Sequence, residues 1–167
     1  QQSARSLFKC QSDKGTCYGI SDVTVHLIKL SVGIENIEHL AQVQSTRLKE
    51  MITNGKEPQL RHLTRHTPRR QKEILDGGSI YWVIKGVIQV RQNITGFEAT
   101  KRQNGDPACA ILYETEHIRT EPKSFRAFQG WRYLPTEKAP PDLAETSHYD
   151  ADLPTEMAAE LRDLGLL

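Results

Sequence analysis

The run from Ser79 to Gln92 constrains the fold of this chain more than any other segment. Ile80, Trp82, Ile84, Ile88 and Val90 fall at even positions. Tyr81, Lys85, Gln89 and Arg91 share the odd positions with Val83 and Val87. Successive side chains of an extended backbone leave on opposite faces, so a period of two over this length predicts a half-buried strand. Gly86 sits mid-run, where a bulge, a bend or a close backbone approach is expected. A strand that buries one face needs partners, and the rest of the chain is read for them.

Thr24 to Leu30 is β-branched and apolar with Lys29 as its one charge, and reads as a first strand ended by Gly33. Ile37 to Asn54 reads as a helix, because Ile37, Leu40, Ala41, Leu48, Met51 and Ile52 recur at helical spacings. Asn36 is placed to cap its start, and Asn54-Gly55 to stop it. Leu60 to Thr64 is a short connector or strand. Thr67-Pro68 looks like an N-cap with proline at the first helical position, opening a short helix that Asp76-Gly77-Gly78 breaks. Asn104-Gly105 marks a hairpin turn between Phe97–Arg102 and Cys109–Tyr113. Phe128 to Leu134 is aromatic-rich and suits a further strand. Pro135 to Pro154 is an acidic connector, and Asp152 or Thr155 opens a final helix with Met157, Leu161 and Leu164 on one face. The expectation is a single α+β domain over residues 23–167, mostly antiparallel twisted sheet with flanking helices, behind a poorly ordered extension over 1–22.

Charge is unevenly spread. Residues 135–167 hold eight acidic and two basic side chains, against 13 and 20 in the rest of the 167 residues. A basic body with an acidic end is a pattern of polyanion binders, and equally of a solvated mixed surface. Of the three cysteines, Cys109 sits in an apolar run and reads as core, while Cys10 and Cys17 lie in a polar stretch. Neither a zinc site nor a disulfide framework is supported, so a reducing cytoplasm fits best. There is no apolar run of membrane-spanning length, and the first 20 residues lack the apolar centre of a secretory signal.

Three features could carry chemistry. Arg61 to Lys72 packs Arg61, Arg65, Arg69 and Arg70 with His62 and His66 into twelve residues. Arg69 and Arg70 fall in the expected first turn of a helix, where cations oppose the macrodipole; beside free backbone N–H groups they would instead seat an anion. The competing reading pairs these arginines with Glu73 and Asp76. The second feature is the strand face of Tyr81, Lys85, Gln89 and Arg91: either an ordinary polar sheet surface or a basic one with an aromatic able to stack a base. The third is Arg119 to Leu134, which interleaves Phe125, Phe128, Gln129, Trp131 and Arg132. Such a segment stacks bases and holds phosphates, or packs its rings on the sheet while the arginines stay wet. His62 and His66 are four apart but lack a third metal ligand, and the sequence implies no cofactor. A Gly-rich phosphate loop, a nucleophile elbow and a metalloprotease His pair are all absent.

Thr24–Leu30, Arg61-His62 to Arg70, Leu75-Asp76-Gly77-Gly78-Ser79-Ile80-Tyr81-Trp82-Val83-Ile84-Lys85-Gly86 and Phe128-Gln129-Gly130-Trp131-Arg132-Tyr133-Leu134 together closely resemble a bacterial family known only as domain of unknown function 1489, found mainly in alphaproteobacteria. The resemblance runs from about Val23 to Leu167. It implies that residues 1–22 are an upstream extension or a misjudged start, and it brings no activity. The Gly-Gly and Tyr-Trp-Val-Ile-Lys-Gly run is also distantly similar to PUA-like barrels, which often bind RNA; that similarity implies a partly open barrel.

Three functions follow as expectations. In an RNA- or nucleotide-binding module, Arg61, Arg65, Arg69 and Arg70 would hold phosphates, Tyr81 or Trp131 would stack a base, and Lys85, Arg91 and Arg132 would line the groove, with Gln129 and His62 beside them. In an enzyme acting on a small phosphorylated or nucleotide substrate, His62 or His66 would be the general acid or base. In a protein–protein adaptor, Phe128 and Trp131 would form an exposed apolar patch.

Overall fold

A computed structural model of the chain describes residues 24–143 and 154–165. The N-terminal extension with Cys10 and Cys17, and most of the acidic connector, lie outside the described residues. The fold is α+β, built on one seven-stranded mixed sheet that does not close into a barrel. In chain order the elements are β1 (Val25–Leu30), α1 (Ile37–Thr53), β2 (Leu60–Thr64), α2 (Gln71–Leu75), β3 (Ser79–Ile84), β4 (Val87–Lys101), β5 (Pro107–Tyr113), β6 (Ile118–Ser124), β7 (Trp131–Pro135) and α3 (Thr155–Asp163). Strands are ordered β2-β5-β4-β3-β1-β7, with β6 pairing β4 beside the β4–β5 ladder. Among the described strand pairs only β1 and β3 run parallel.

The period-two run is two strands rather than one. Lys85 and Gly86 form a tight turn between β3 and β4, with φ of 49° and 81°. Positive φ at both central residues matches the twist of flanking strands, which is why glycine is favoured there and lysine is not. β4 is long because it serves two partners in succession. Its first half pairs β3 on one edge and β6 on the other, and its second half pairs β5. Bulges at Gln89 and Thr95 let it bend between these roles. The Gln89 bulge also changes the phase. Ile80, Trp82, Ile84 and Val90 share the inner core as expected, but Ile88 crosses to the outer one with Tyr81 and Val83. All six residues of β3 are buried, so both faces of the sheet are covered there.

The inner core is closed by α1, β2 and β5, through Leu40, Leu60, Ile111 and Tyr113. Asn36 caps α1, its side chain accepting from the His39 N–H at 2.7 Å. The expected stripe on α1 is only partly the packing face, since Ile52 is exposed and the buried positions are Leu40 and Gln44. Gln44 is buried because Gln92 of β4 meets it in a reciprocal amide pair, 2.9 Å each way. Gln92 also accepts from the Trp82 indole at 2.8 Å and donates to the Glu114 carbonyl at 2.9 Å. Its polar atoms are therefore satisfied inside an apolar core.

Three other expectations change. The short helix begins at Gln71, with Arg70 at its N-cap and no capping side chain, so Thr67-Pro68 does not open it. Arg119 to Ser124 belongs to β6 rather than to one continuous arm with Trp131. On α3, Ala159 is buried while Met157 and Leu164 are exposed, so the expected apolar stripe is not what packs beside β6. Among the described residues, no helix is long and apolar enough to cross a membrane.

Two substitutions test this architecture. Gln92→Leu keeps the volume but strands the Trp82 N–H, the Gln44 amide and the Glu114 carbonyl; each buried orphan costs about 1–3 kcal/mol, so urea unfolding should show a loss of roughly 2–4 kcal/mol. Gly78→Ala should lower stability as well, because a Cβ there would overlap the Ile74 carbonyl and sit 2.6 Å from the Val25 carbonyl. An unchanged melting temperature in either variant would contradict the packing described.

Candidate anion-binding cleft

The sheet curls so that its two edges approach without pairing as strands. β2 lies at one end of the strand order and β1–β7 at the other. Yet the Trp131 indole at the start of β7 donates to the carbonyl of His66, just past β2, at 3.1 Å. The seam between these edges is a cleft of about 310 Å³. Lys29 reaches it from β1, His62 and Thr64 from β2, Arg65 and His66 from the segment that follows, Arg102 from the β4–β5 turn, and Gln129 to Trp131 from the approach to β7.

Register explains the placement. Lys29 pairs with Trp82 on β3 and with Trp131 on β7, and it alternates with Ile28 of the outer core. Its side chain therefore emerges on the inner side, where the core opens to the cleft. Its ammonium donates to the Gly130 carbonyl at 3.4 Å, and partial burial lowers its pKa. Lys29, Arg65 and Arg102 have no ion-pair partner among the described residues, and no carboxylate lines the cleft. His62 packs edge-on to Trp82 with ring centroids 6.0 Å apart. Burial first, then the charges of Lys29 and Arg47, push its pKa down to about 4, so it is neutral at pH 7.

The expected site residues divide between this cleft and other places. His62, Arg65, Gln129 and Trp131 come together in it. Arg61 points the opposite way from His62 and lies 3.7 Å from Glu98. Arg69 and Arg70 do not offer free backbone N–H groups, since both donate to the Tyr133 hydroxyl, at 2.9 and 3.4 Å. The Arg70 side chain is paired with Glu73 and lies over the Tyr133 ring. Tyr81 is only 4% exposed, its ring edge-on to His26, so it presents no stacking surface. Arg91 is held bidentate by Asp142 at 2.7 and 2.8 Å and also meets Ser79 and Asn93. Lys85 is exposed at the hairpin tip. Arg132 pairs with Ile28 across the sheet and stacks over Phe128 on the outer face. Phe128 and Trp131 thus belong to opposite faces and form no common patch.

Lys29 and Arg102 were not among the expected residues. A lone charge in the apolar first strand was the available signal for Lys29. Arg102 gave none, because only the curl of the sheet brings its turn to the seam. No group of three or more His, Cys, Asp or Glu side chains among the described residues could hold a metal ion.

Fold and cleft together define a small α+β protein with an open-seamed sheet and a basic, aromatic-edged cleft. The chain belongs to the DUF1489 family, proteins of unknown function, whose family model matches residues 27–167. No curated protein and no solved structure matches it.

His62 provides the test of the cleft's electrostatics. Its pKa in the folded protein lies below the ordinary 6.5, so folding favours the neutral ring. The stability this contributes is complete above the ordinary value and is lost as pH falls from 6.5 toward about 4. An NMR titration should place the His62 midpoint near the lower value, and Lys29→Met should raise it. A wild-type midpoint close to the ordinary histidine value would show that the ring is neither buried nor flanked by cations as described.

Proposed function

We propose that this cleft binds the phosphate of an RNA or nucleotide ligand. One observation carries the reading: Lys29, Arg65 and Arg102 converge on a single concavity with no carboxylate to neutralise them. Uncompensated cations drawn together repel one another, and an anion relieves that cost. Arginine forks suit phosphate oxygens, and Trp131 at the rim offers a surface for a base. The reading takes the protein to be cytoplasmic.

Catalysis on a phosphorylated substrate is the alternative, favoured by His62 and His66 lining the same cleft. At neutral pH a histidine held near 4 is uncharged, so His62 would enter such a reaction as the base rather than as the imidazolium acid. Simple binding asks less of the residues present. The adaptor reading has no shared Phe128–Trp131 patch to support it, since the two lie on different faces.

The test is fluorescence anisotropy with labelled single-stranded RNA, together with calorimetry on nucleoside monophosphates, across a series of salt concentrations. Arg65→Ala and Arg102→Ala should each weaken binding and reduce the steepness of the salt dependence by about 0.7 per lost phosphate contact. Arg61→Ala, which removes a side chain facing away from the cleft, should leave both unchanged. Absence of binding to RNA and to every nucleotide at low salt would end this reading.

A further inference from the structure

Lys29 and His62 line two clefts at once. Beyond them a second one, of about 200 Å³, runs beneath α1. Its walls are partly aliphatic and aromatic, with Leu30, Ile34, Leu40, Val43 and Trp82. Half of its lining residues are polar: Gln44, Arg47 and Tyr113 join Lys29 and His62, and Ser31 lines one side.

Tyr113 places a hydroxyl at this second cleft. The residue is 2% exposed, yet its hydroxyl has no hydrogen-bond partner among the described residues. It is not among the orphaned polar atoms sealed from solvent, which include the Oγ of Ser31 in the same lining, so it keeps access to the cleft. Burial pushes its pKa up to about 12, which keeps it protonated and able to donate. Gln44 spends one N–H and its carbonyl on Gln92 and keeps its other N–H.

We infer that the two clefts together hold one nucleoside monophosphate unit, with the phosphate on the Arg65–Arg102 side, the base in the apolar chamber beneath α1, and Lys29 and His62 between them. The inference rests on the anion-binding reading and adds to it the class of ligand. Small-molecule sites are concave, with volumes of roughly 300–1,000 Å³, and the joined clefts, of about 200 and 310 Å³, fall in that range with apolar side chains gathered at one end and cations at the other. A nucleobase needs apolar walls for its faces and hydrogen-bonding groups at its edge. The chamber offers Val43 and Leu40 for the first, and Tyr113 and Gln44 for the second. The phosphate is assigned to the other cleft because Arg65, Arg102 and His66 line that one and few aliphatic groups do.

Calorimetry with the four ribonucleoside 5′-monophosphates, ribose 5-phosphate and inorganic phosphate tests this on the full chain. At least one nucleotide should bind ten-fold or more tightly than ribose 5-phosphate. Val43→Trp, which fills the chamber, should abolish that advantage while leaving ribose 5-phosphate affinity unchanged. Tyr113→Phe, which keeps the ring packed, should weaken the preferred nucleotide about 3- to 10-fold and so tests the chamber even if the larger residue is not tolerated. Equal affinity for ribose 5-phosphate and every nucleotide would overturn the inference and leave the anion site standing. So would binding of an RNA oligonucleotide without any mononucleotide. Failure of all these probes, RNA included, would instead remove the anion-binding reading beneath it.

Discussion

Gln92 is the residue on which the inner side of this protein turns. An amide buried in an apolar core costs several kcal/mol unless its donors and acceptor are met, and here they are met by three different elements. Gln44 brings α1 down onto the sheet, the Trp82 indole is fixed in orientation on β3, and the Glu114 carbonyl secures the chain just past β5. The Trp82 ring then sets the positions of two others. Tyr113 lies edge-on to it at 5.8 Å and His62 at 6.0 Å. The floor of the inner cleft is thus an arrangement of rings held in place by one polar knot, rather than a gap left by loose packing.

The seam itself follows from β4. A strand of 15 residues that bends at two bulges carries β5 and β2 around toward β1 and β7. The curl stops short of closure, and edge strands that approach without pairing leave backbone groups and side chains facing a common space. Side-chain bonds span the remaining distance, of which the indole of Trp131 on the His66 carbonyl is one and Tyr133 on the amides of Arg69 and Arg70 another. An open seam of this kind gathers residues distant in sequence, such as Lys29, Arg65 and Arg102, at one place.

That geometry accounts for what could and could not be read from the sequence. Local signals worked where local physics decides: Asn36 capping α1, the Asn104-Gly105 hairpin, the β-branched first strand and the burial of Cys109 are all present. Gly86 marked a bend or bulge, but a full Lys85-Gly86 turn was not legible because lysine is an unusual residue at a positive φ and the run on either side of it alternates without a break. The Gln89 bulge was invisible because one extra residue inverts the phase without altering composition. The candidate site suffered most, since the fate of a charge depends on partners far along the chain. Asp142 takes Arg91 from 51 residues away, Glu98 neutralises Arg61, and Tyr133 occupies the backbone amides on which the expected anion seat depended.

Counting arginines in a basic run therefore overstates the available charge and misplaces it. Of the four between Arg61 and Arg70, only Arg65 both reaches the cleft and lacks an opposing carboxylate. The field there is completed by Lys29, a lysine half-buried in a strand, and Arg102, an arginine in a turn. A positive site assembled in this way differs from a basic surface stripe. Its cations are separated by strands rather than by one turn of chain, so they surround a volume instead of tracking a line. A stripe suits the repeating phosphates of a duplex, whereas an enclosed cluster beside an apolar chamber suits a single phosphate with something attached to it. The neutrality of His62 belongs to the same arrangement: burial against Trp82 lowers its pKa first, and the neighbouring charges of Lys29 and Arg47 lower it further.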